Sequence, residues 1–523
     1  MKKLRTKNES EKQNVAVKDT EGKDGTRIEN FDYKRSLSVY DAILLILILL
    51  ISLYCGIFME SQCPENDNQL NELTYWLFKN NYQHFNESFK TVQTIFDQLG
   101  FKMVNGSRNE SWNIMWSEEF PFENNPDLLA AIKPNQLINH FPGITYLTNK
   151  KYLALSSDSK YIPTAFDLPR LKNEFIYYQR ANLSKRFVVK NWHSRGIRII
   201  DVKTMDFQLG QMRYVQEFVD NPLLIDDRAF DVGVYVLITS LDPLRFYRYK
   251  GDILLRLCAD PYYPFDPENV NSYVVNDKHL PYWEAPSFVN TTKQFKFSAL
   301  DSLNLHLSRN GHNVKKFWKG IDDAIMSVIL SKTERITLFT LRFFKAQAEY
   351  FELLRFDFLI DDSLSPHLME INISPNLTPT SESEEPLRIM YEQILYNTLT
   401  LVANRGELIE RLDFSDSKFT VKTVSKDSML SSKSNLVIHP EICENCLNSC
   451  NQTECELCTN CLSQTELRIL QQAYREHQRR AQMMRMFPSK AVFEPNRMKK
   501  LSNSTQLTVK WFLAKCEVDE DWC

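Results

Sequence analysis

Three oxygen-bearing side chains stand close together in the string FDFLIDDSLSPHLMEINISPNL: Asp357, Glu370 and Asn372. Carboxylate and carboxamide oxygens at that density suit a Mg²⁺ ion shared with nucleotide phosphates. Without a cation they would be costly to bury on an otherwise apolar sheet. A second set is cationic. Lys190 closes the run RFVVK, and Arg195 stands just before the run GIRII, which begins at Gly196. A hairpin loop carrying Lys190 and Arg195 can fold over anionic phosphates. The alternative in both places is an exposed hairpin with polar residues on its wet face.

The elements that would position these groups are strands. Phe356, Phe358 and Ile360 alternate with Asp357 and Leu359, and Asp361, Asp362, Ser363 and Pro366 supply a turn. The returning run from His367 to Ile373 alternates too. A period of two places Leu368, Glu370 and Asn372 on one face and Met369 and Ile371 on the other. Asp357 would then come round in a hairpin to meet Glu370 and Asn372. Apolar residues at helical spacing predict core-packing helices without chemistry before Leu99-Gly100, over 316–330 and over 390–402.

A chain of 523 residues can hold two or three domains and a sizeable core. Its net charge of -3 argues against a nucleic-acid-binding protein as a whole. With only 13 glycines and no Walker A or GxGxxG string, a glycine cradle for phosphates is not expected.

Both ends read differently from the middle. Residues 1–35 are polar and basic and predict a disordered tail. The run AILLILILLISLYCGIFM over 42–59 has no charge, and at 1.5 Å per residue it spans about 27 Å, enough for a bilayer core. Lys34 and Arg35 precede it, while Glu60, Glu65, Asp67 and Glu72 come before the next lysine. The positive-inside rule then predicts a single-pass type II membrane protein with a luminal or extracellular body; a cytosolic body is the alternative. Sequons such as Asn86, Asn182 and Asn451 would carry glycans in that topology. Cys443, Cys446, Cys450, Cys455, Cys458 and Cys461 form a cluster that reads as disulfides beyond the membrane or as a zinc site in the cytosol. The anchor favours disulfides, and Cys63, Cys516 and Cys523 are further candidates for pairing. Residues 465–500 hold nine Lys/Arg against three Glu and open as an amphipathic helix whose basic face suits an acidic partner.

The closing hairpin, with Asp357, Glu370, Asn372 and Pro375, resembles that of the tubulin–tyrosine ligase-like family, an ATP-grasp branch. The resemblance extends over roughly 70–405. It takes in NHFPG at 139–143 with Lys150, the strand with Lys190, Arg195, Gly196 and Ile197, and VQEFVDNPLL from Val215. It also takes in Phe230, Asp231, Tyr235 and Val236, then Arg256 and Tyr273. The resemblance implies ATP and Mg²⁺ as cofactors, with Asp357, Glu370 and Asn372 holding the metal. It implies nucleotide contacts from Lys150, Lys190, Arg195, Gly196, Gln216, Glu217, Phe218, Val219 and Asp231, and catalytic roles for Arg256, on substrate carboxylate, and Lys190. The implied activity is ligation of an amino acid to a carboxylate of tubulin or another acidic protein through an acyl phosphate, tubulin polyglutamylation above all. A catalytically impaired relative, or a ligase for a secretory substrate, is the alternative. The chain departs from the family where Ala229 replaces a lysine, Gly233 an arginine and Arg355 a glycine, and also where Asn191 replaces a proline, Phe218 a tyrosine, and the residues before Tyr273 lack the family's histidine and asparagine. Arg228 and Arg198 are candidates to replace the missing cations.

The expected architecture is an α/β (α+β) ATP-grasp-type body over 60–405, after a transmembrane anchor at 36–59. A linker over 406–440, a Cys-rich segment over 441–464, a basic helix over 465–500 and a tail over 501–523 would follow.

Overall fold

The computed structural model describes residues 73–79, 89–104, 112–118, 120–121, 132–133, 136–156, 159–191, 196–205, 207, 213–294, 298–343, 349–379, 384–403, 433–490 and 500–523. The expected tail and span over 1–59, Cys63, Arg195 and most of the expected linker lie outside these residues.

One strand, Arg228–Leu241, runs through the middle of a mixed α/β fold. Its sequence, RAFDVGVYVLITSL, is rich in β-branched and aromatic residues and apolar on both faces over its second half, as a strand covered on both sides must be. Glu352–Ile360 pairs antiparallel along one edge, from Asp231↔Leu359 to Ile238↔Glu352. Leu254–Leu257 and Leu244–Tyr249 share the other edge. Phe230, Val232, Val234 and Val236 face a core closed by the helices Ala299–Arg309 and Val314–Phe343. Tyr235 and Leu237 face a second core, closed by Lys90–Gln98 and Glu385–Val402. Each such side chain contributes about 1.5–3 kcal/mol on burial, so two cores fix which way every residue of this strand points.

Two smaller sheets flank this one. Thr74–Phe78 pairs in parallel with Lys102–Met103 and Ile114–Ser117, and Leu137–Ile138 and Glu349–Tyr350 extend that sheet to five strands. Ala165–Phe166, Arg213–Glu217, Phe187–Asn191 and Arg198–Ile200 make an antiparallel four-stranded sheet. Its apolar face packs Phe187, Val189 and Val215 on Phe175 of the helix Lys172–Ala181.

The C-terminal region is fastened to the central sheet. The helix Gln464–Gln478 begins at a capping box in which Ser463 and Glu466 satisfy each other's backbone N–H groups. It stops at Gln478, and Met483–Phe487 then pairs with Leu244–Tyr249 as a further strand. Burial of Met483 in one core and of Met486 and Phe487 in the other wins over the basic character that predicted a longer helix. Glu476 is buried and accepts hydrogen bonds from Arg245 Nε (2.9 Å) and Nη2 (3.1 Å), Tyr247 (3.0 Å) and Thr239 (2.9 Å). The cysteine cluster forms disulfides, Cys443–Cys458, Cys446–Cys455 and Cys450–Cys461, and Cys516 pairs with Cys523. The zinc alternative is thereby set aside.

The expected membrane topology is corrected. No helix among the described residues is long and apolar enough to cross a membrane. Even the 30-residue helix Val314–Phe343 carries Lys319, Asp323 and Glu334 between its buried positions. The type II arrangement, the luminal body and the glycans that depended on it are not carried further.

Candidate active site

The hairpin of Glu352–Ile360 and Pro366–Ile373 forms as its alternation requires, with one irregularity. Phe358 pairs with Leu368, yet Asp357 pairs with Glu370, so Met369 is an extra residue. This β-bulge turns Leu368 into the same core as Ile371, where strict alternation placed it beside Glu370. Burying two large apolar side chains on one face outweighs a regular ladder. The bulge still leaves Glu370 opposite Asp357 and Asn372 opposite Arg355.

Asp357 is buried, faces away from Phe356 and Phe358, and lies opposite Gly233 of the long strand. Asn372 donates through Nδ2 to Asp357 Oδ2 (2.9 Å) and Glu370 Oε1 (3.2 Å), so the three expected metal ligands are brought together. Glu370 Oε2 pairs with the Lys150 ammonium. Burial pushes the Glu370 carboxyl up, but Lys150 and the Asn372 amide outweigh it and hold it down at about 2. Lys150 is the first residue of the short helix Lys150–Ala154, which Asn149 caps by accepting from the N–H groups of Lys151 and Tyr152 (3.1 Å each). Lys151 turns elsewhere, to Asp167 at 2.6 Å. The neighbouring NHFPG run is a buried latch. His140 Nδ1 lies 2.8 Å from Glu352 Oε1, and the Phe141 N–H donates to Glu352 Oε2 at 3.0 Å. Gly143 has φ +79°, and a Cβ there would meet the Phe339 ring at 2.8 Å.

Lys190 is the penultimate residue of Phe187–Asn191 and donates to Gln216 Oε1 at 2.8 Å, while Gln216 Nε2 donates to the Pro163 carbonyl at 3.0 Å. Burial lowers the Lys190 ammonium to about 8; Lys150 adds to that lowering and Glu370 opposes it. The chain then passes into Glu217, Phe218 and Val219. Glu217 accepts from Tyr178 (2.7 Å) and pairs with Lys185. The Glu217 and Phe218 N–H groups donate to the Thr164 and Arg186 carbonyls. The Phe218 ring packs edge-on against Tyr273 at 5.5 Å, beside Phe265, and the Arg186 guanidinium lies 5.0 Å from its centre. Ala229 sits in this apolar cluster with Cys258 and Tyr262. Gly196 is left-handed, φ +81°.

Asp231 and Arg256 are cross-strand partners, joined at 3.0 Å (Nε to Oδ1) and 2.6 Å (Nη2 to Oδ2). Burial works against the Arg256 charge, but Asp231 and Asp357 more than offset it and raise its pKa. Its Nη2 also reaches Asp357 Oδ2 at 3.2 Å. Arg355 was not among the expected site residues, yet it grips Asp357 with Nε at 2.7 Å and Nη2 at 2.9 Å. The signal was present as two reciprocal departures, glycine at 233 and arginine at 355, on what proved to be adjacent strands. The expected stand-ins do not reach the carboxylates. Arg228 donates to the Cys258 and Ala259 carbonyls, and Arg198 is exposed on the strand Arg198–Ile200.

The site is thus a line of carboxylates held by cations across a β-sheet hairpin, beside an apolar shelf around Phe218. A profile of the Tubulin-tyrosine ligase family matches residues 130–408. A probable tubulin polyglutamylase, ttll-15, of Caenorhabditis elegans is 35% identical over 444 residues, 83% of this chain and 83% of that protein. Tubulin polyglutamylase TTLL13 of Homo sapiens is 29% identical over 345 residues, 61% of this chain and 40% of its own. Tubulin polyglutamylase TTLL6 of Mus musculus is 26% identical over 335 residues, 60% of this chain and 39% of its own. The chain therefore spans about two fifths of the length of these last two. The chain belongs to the tubulin-tyrosine ligase family.

Proposed function

We propose that this chain is an ATP-dependent protein–amino-acid ligase of the tubulin polyglutamylase type, acting on tubulin or another acidic protein. One observation carries the reading. Lys150, Glu370, Asn372, Asp357, Arg256 and Asp231 form one unbroken chain of contacts, drawn from five separate elements, with Lys190 beside it. Five elements do not bring that much buried charge together for packing alone, because each ion would cost several kcal/mol to desolvate.

The roles divide by position. Lys150 and Lys190 neutralise phosphate oxygens, together with Arg195, which lies outside the described residues. The shelf of Phe218 and Val219 takes the purine. Since the Glu217 and Phe218 N–H groups are already committed within the sheet, the base edge meets the chain at Val219. Arg256, held flat by Asp231, presents its guanidinium to a substrate carboxylate. Glu370 is ionised, a quarter exposed and engaged more lightly, by Lys150 on one oxygen and the Asn372 amide on the other, and with the Asn372 oxygen it would hold one Mg²⁺. Asp357 does not fit as an open ligand, because guanidinium and amide donors cover both its oxygens. Bound ATP would supply the phosphoryl group that activates the acceptor carboxylate for attack by the incoming amine. The residues themselves orient the groups and balance charge.

Incubating tubulin with the full chain, ATP and labelled glutamate, then measuring intact tails by mass spectrometry, tests the reading. Added glutamyl masses are expected, and their loss on Lys150→Ala. The buried Ala229 and the filled space at Gly233 favour a second reading, a member that binds nucleotide without ligating. Retained ATP binding with no added mass would select it.

A further inference from the structure

The pairing of Gly233 with Arg355 has a consequence for the metal. We infer that the Arg355 guanidinium takes the place of a metal-borne charge at Asp357, so that this chain binds a nucleoside triphosphate with little dependence on Mg²⁺. The inference rests on the nucleotide site proposed above.

Three observations carry it. The first is occupancy. Asp357 Oδ1 accepts from Arg355 Nε, and Oδ2 accepts from Arg355 Nη2, Arg256 Nη2 and Asn372 Nδ2. A carboxylate offers about four lone-pair sites in all, and here both oxygens are engaged, Oδ2 by three donors and Oδ1 by one, with guanidinium groups on each. A Mg²⁺ ion needs an oxygen at about 2.0–2.1 Å with near-octahedral geometry, so it would have to displace Arg355 from a group only 2% exposed. Arginine cannot escape by losing its proton, and once displaced it would stand buried without a partner.

The second is built-in room. Gly233 lies mid-strand between Val232 and Val234, where glycine is unfavourable, and its φ is not in the left-handed region. Its backbone therefore does not need glycine; its neighbours do. A Cβ at 233 would lie 3.0 Å from Arg355 Cδ, 3.0 Å from the cross-strand Leu254 Cβ and 3.1 Å from Asp357 Oδ1. The missing side chain is the space through which the Arg355 stem crosses to Asp357.

The third is charge. Asp231, Asp357 and Glu370 are met by Arg256, Arg355, Lys150 and Lys190. Side chains alone supply more positive than negative groups, so the site is already suited to a triphosphate. Removing Arg355 would cancel that surplus and leave Asp357 open to a metal.

The test is ATP binding by titration calorimetry on the full chain, in saturating Mg²⁺ and again in EDTA. For the natural chain the two dissociation constants should agree within about threefold, and for Arg355→Gly they should separate by about tenfold or more, with the tighter value in Mg²⁺. Gly233→Ala, which pushes the Arg355 stem away without touching its charge, should move in the same direction and guards against a misfolded Arg355→Gly. ATP binding by the natural chain only in Mg²⁺ overturns this inference and leaves the nucleotide site standing. An unchanged Mg²⁺ response in both variants overturns it too. Absence of ATP binding in either condition overturns the proposed nucleotide site and this inference with it.

Discussion

Lys190 should make nucleotide affinity fall as pH rises. Its ammonium donates to Gln216 Oε1 at 2.8 Å, and burial, with Lys150 nearby, lowers it to about 8 against the pull of Glu370. A phosphate contact requires the charged form. Near pH 7 about nine tenths of the free protein already carries that charge, so binding takes up almost no proton. Above about pH 8 the free form is neutral, and each bound phosphate must draw a proton in. Affinity then drops about tenfold per pH unit, or about 1.4 kcal/mol, until the pKa of the bound state is reached. Between about pH 7 and pH 9 the dissociation constant should rise by about a factor of ten, while the nucleotide phosphates stay fully ionised. The effect on stability has its own sign. The folded pKa is depressed, so this group's contribution is fully present above the ordinary lysine value and is lost as pH falls through about 8. Calorimetry of ATP binding in two buffers of different ionisation enthalpy measures both affinity and proton uptake. Lys190→Arg keeps the charge throughout and should flatten the profile. A natural-chain profile that is flat from about pH 7 to pH 9, with no proton uptake, would refute the placement of Lys190 against phosphate.

Three further outcomes follow from the geometry. Arg256→Ala removes a charge-assisted clamp and should cost about 1.5–3 kcal/mol, seen as a ten- to hundredfold loss of kcat/KM for the incoming amino acid, with ATP affinity much less affected. Glu476→Ala leaves Arg245 buried without its carboxylate and should lower unfolding free energy by about 3–5 kcal/mol in urea titration; the double replacement Arg245→Met, Glu476→Leu should recover most of that loss. Reducing the cluster disulfides, which close loops of 9 to 15 residues, should lower the thermal midpoint, each bond contributing up to about 3 kcal/mol. An unchanged midpoint on full reduction would show that this segment contributes nothing to the fold's stability.

What the sequence determined by itself is local. A period of two, a turn at Asp361-Asp362-Ser363 and three oxygen donors were enough to predict a hairpin that gathers Asp357, Glu370 and Asn372, since neighbours within a strand and across a tight turn are set by short-range geometry. Lys190 at the end of its strand was legible for the same reason. The bulge at Met369 was not. It is decided by where Leu368 and Ile371 find apolar contact, which depends on the helix Val314–Phe343 and not on the hairpin. The strand Met483–Phe487 was hidden because its edge position exists only once Leu244–Tyr249 is in place to receive it. Nor did the cysteine spacing select one of 15 pairings; only the fold brings Cys443 to Cys458, Cys446 to Cys455 and Cys450 to Cys461. Gly233 and Arg355 show the limit most plainly. Each was visible as a departure from the family pattern, and their positions in the chain gave no reason to connect them. Only the antiparallel register of Arg228–Leu241 against Glu352–Ile360 sets Gly233 opposite Asp357 and lets the Arg355 stem fill the gap. Cross-strand register is fixed by the summed burial of both faces, a quantity that belongs to the whole fold.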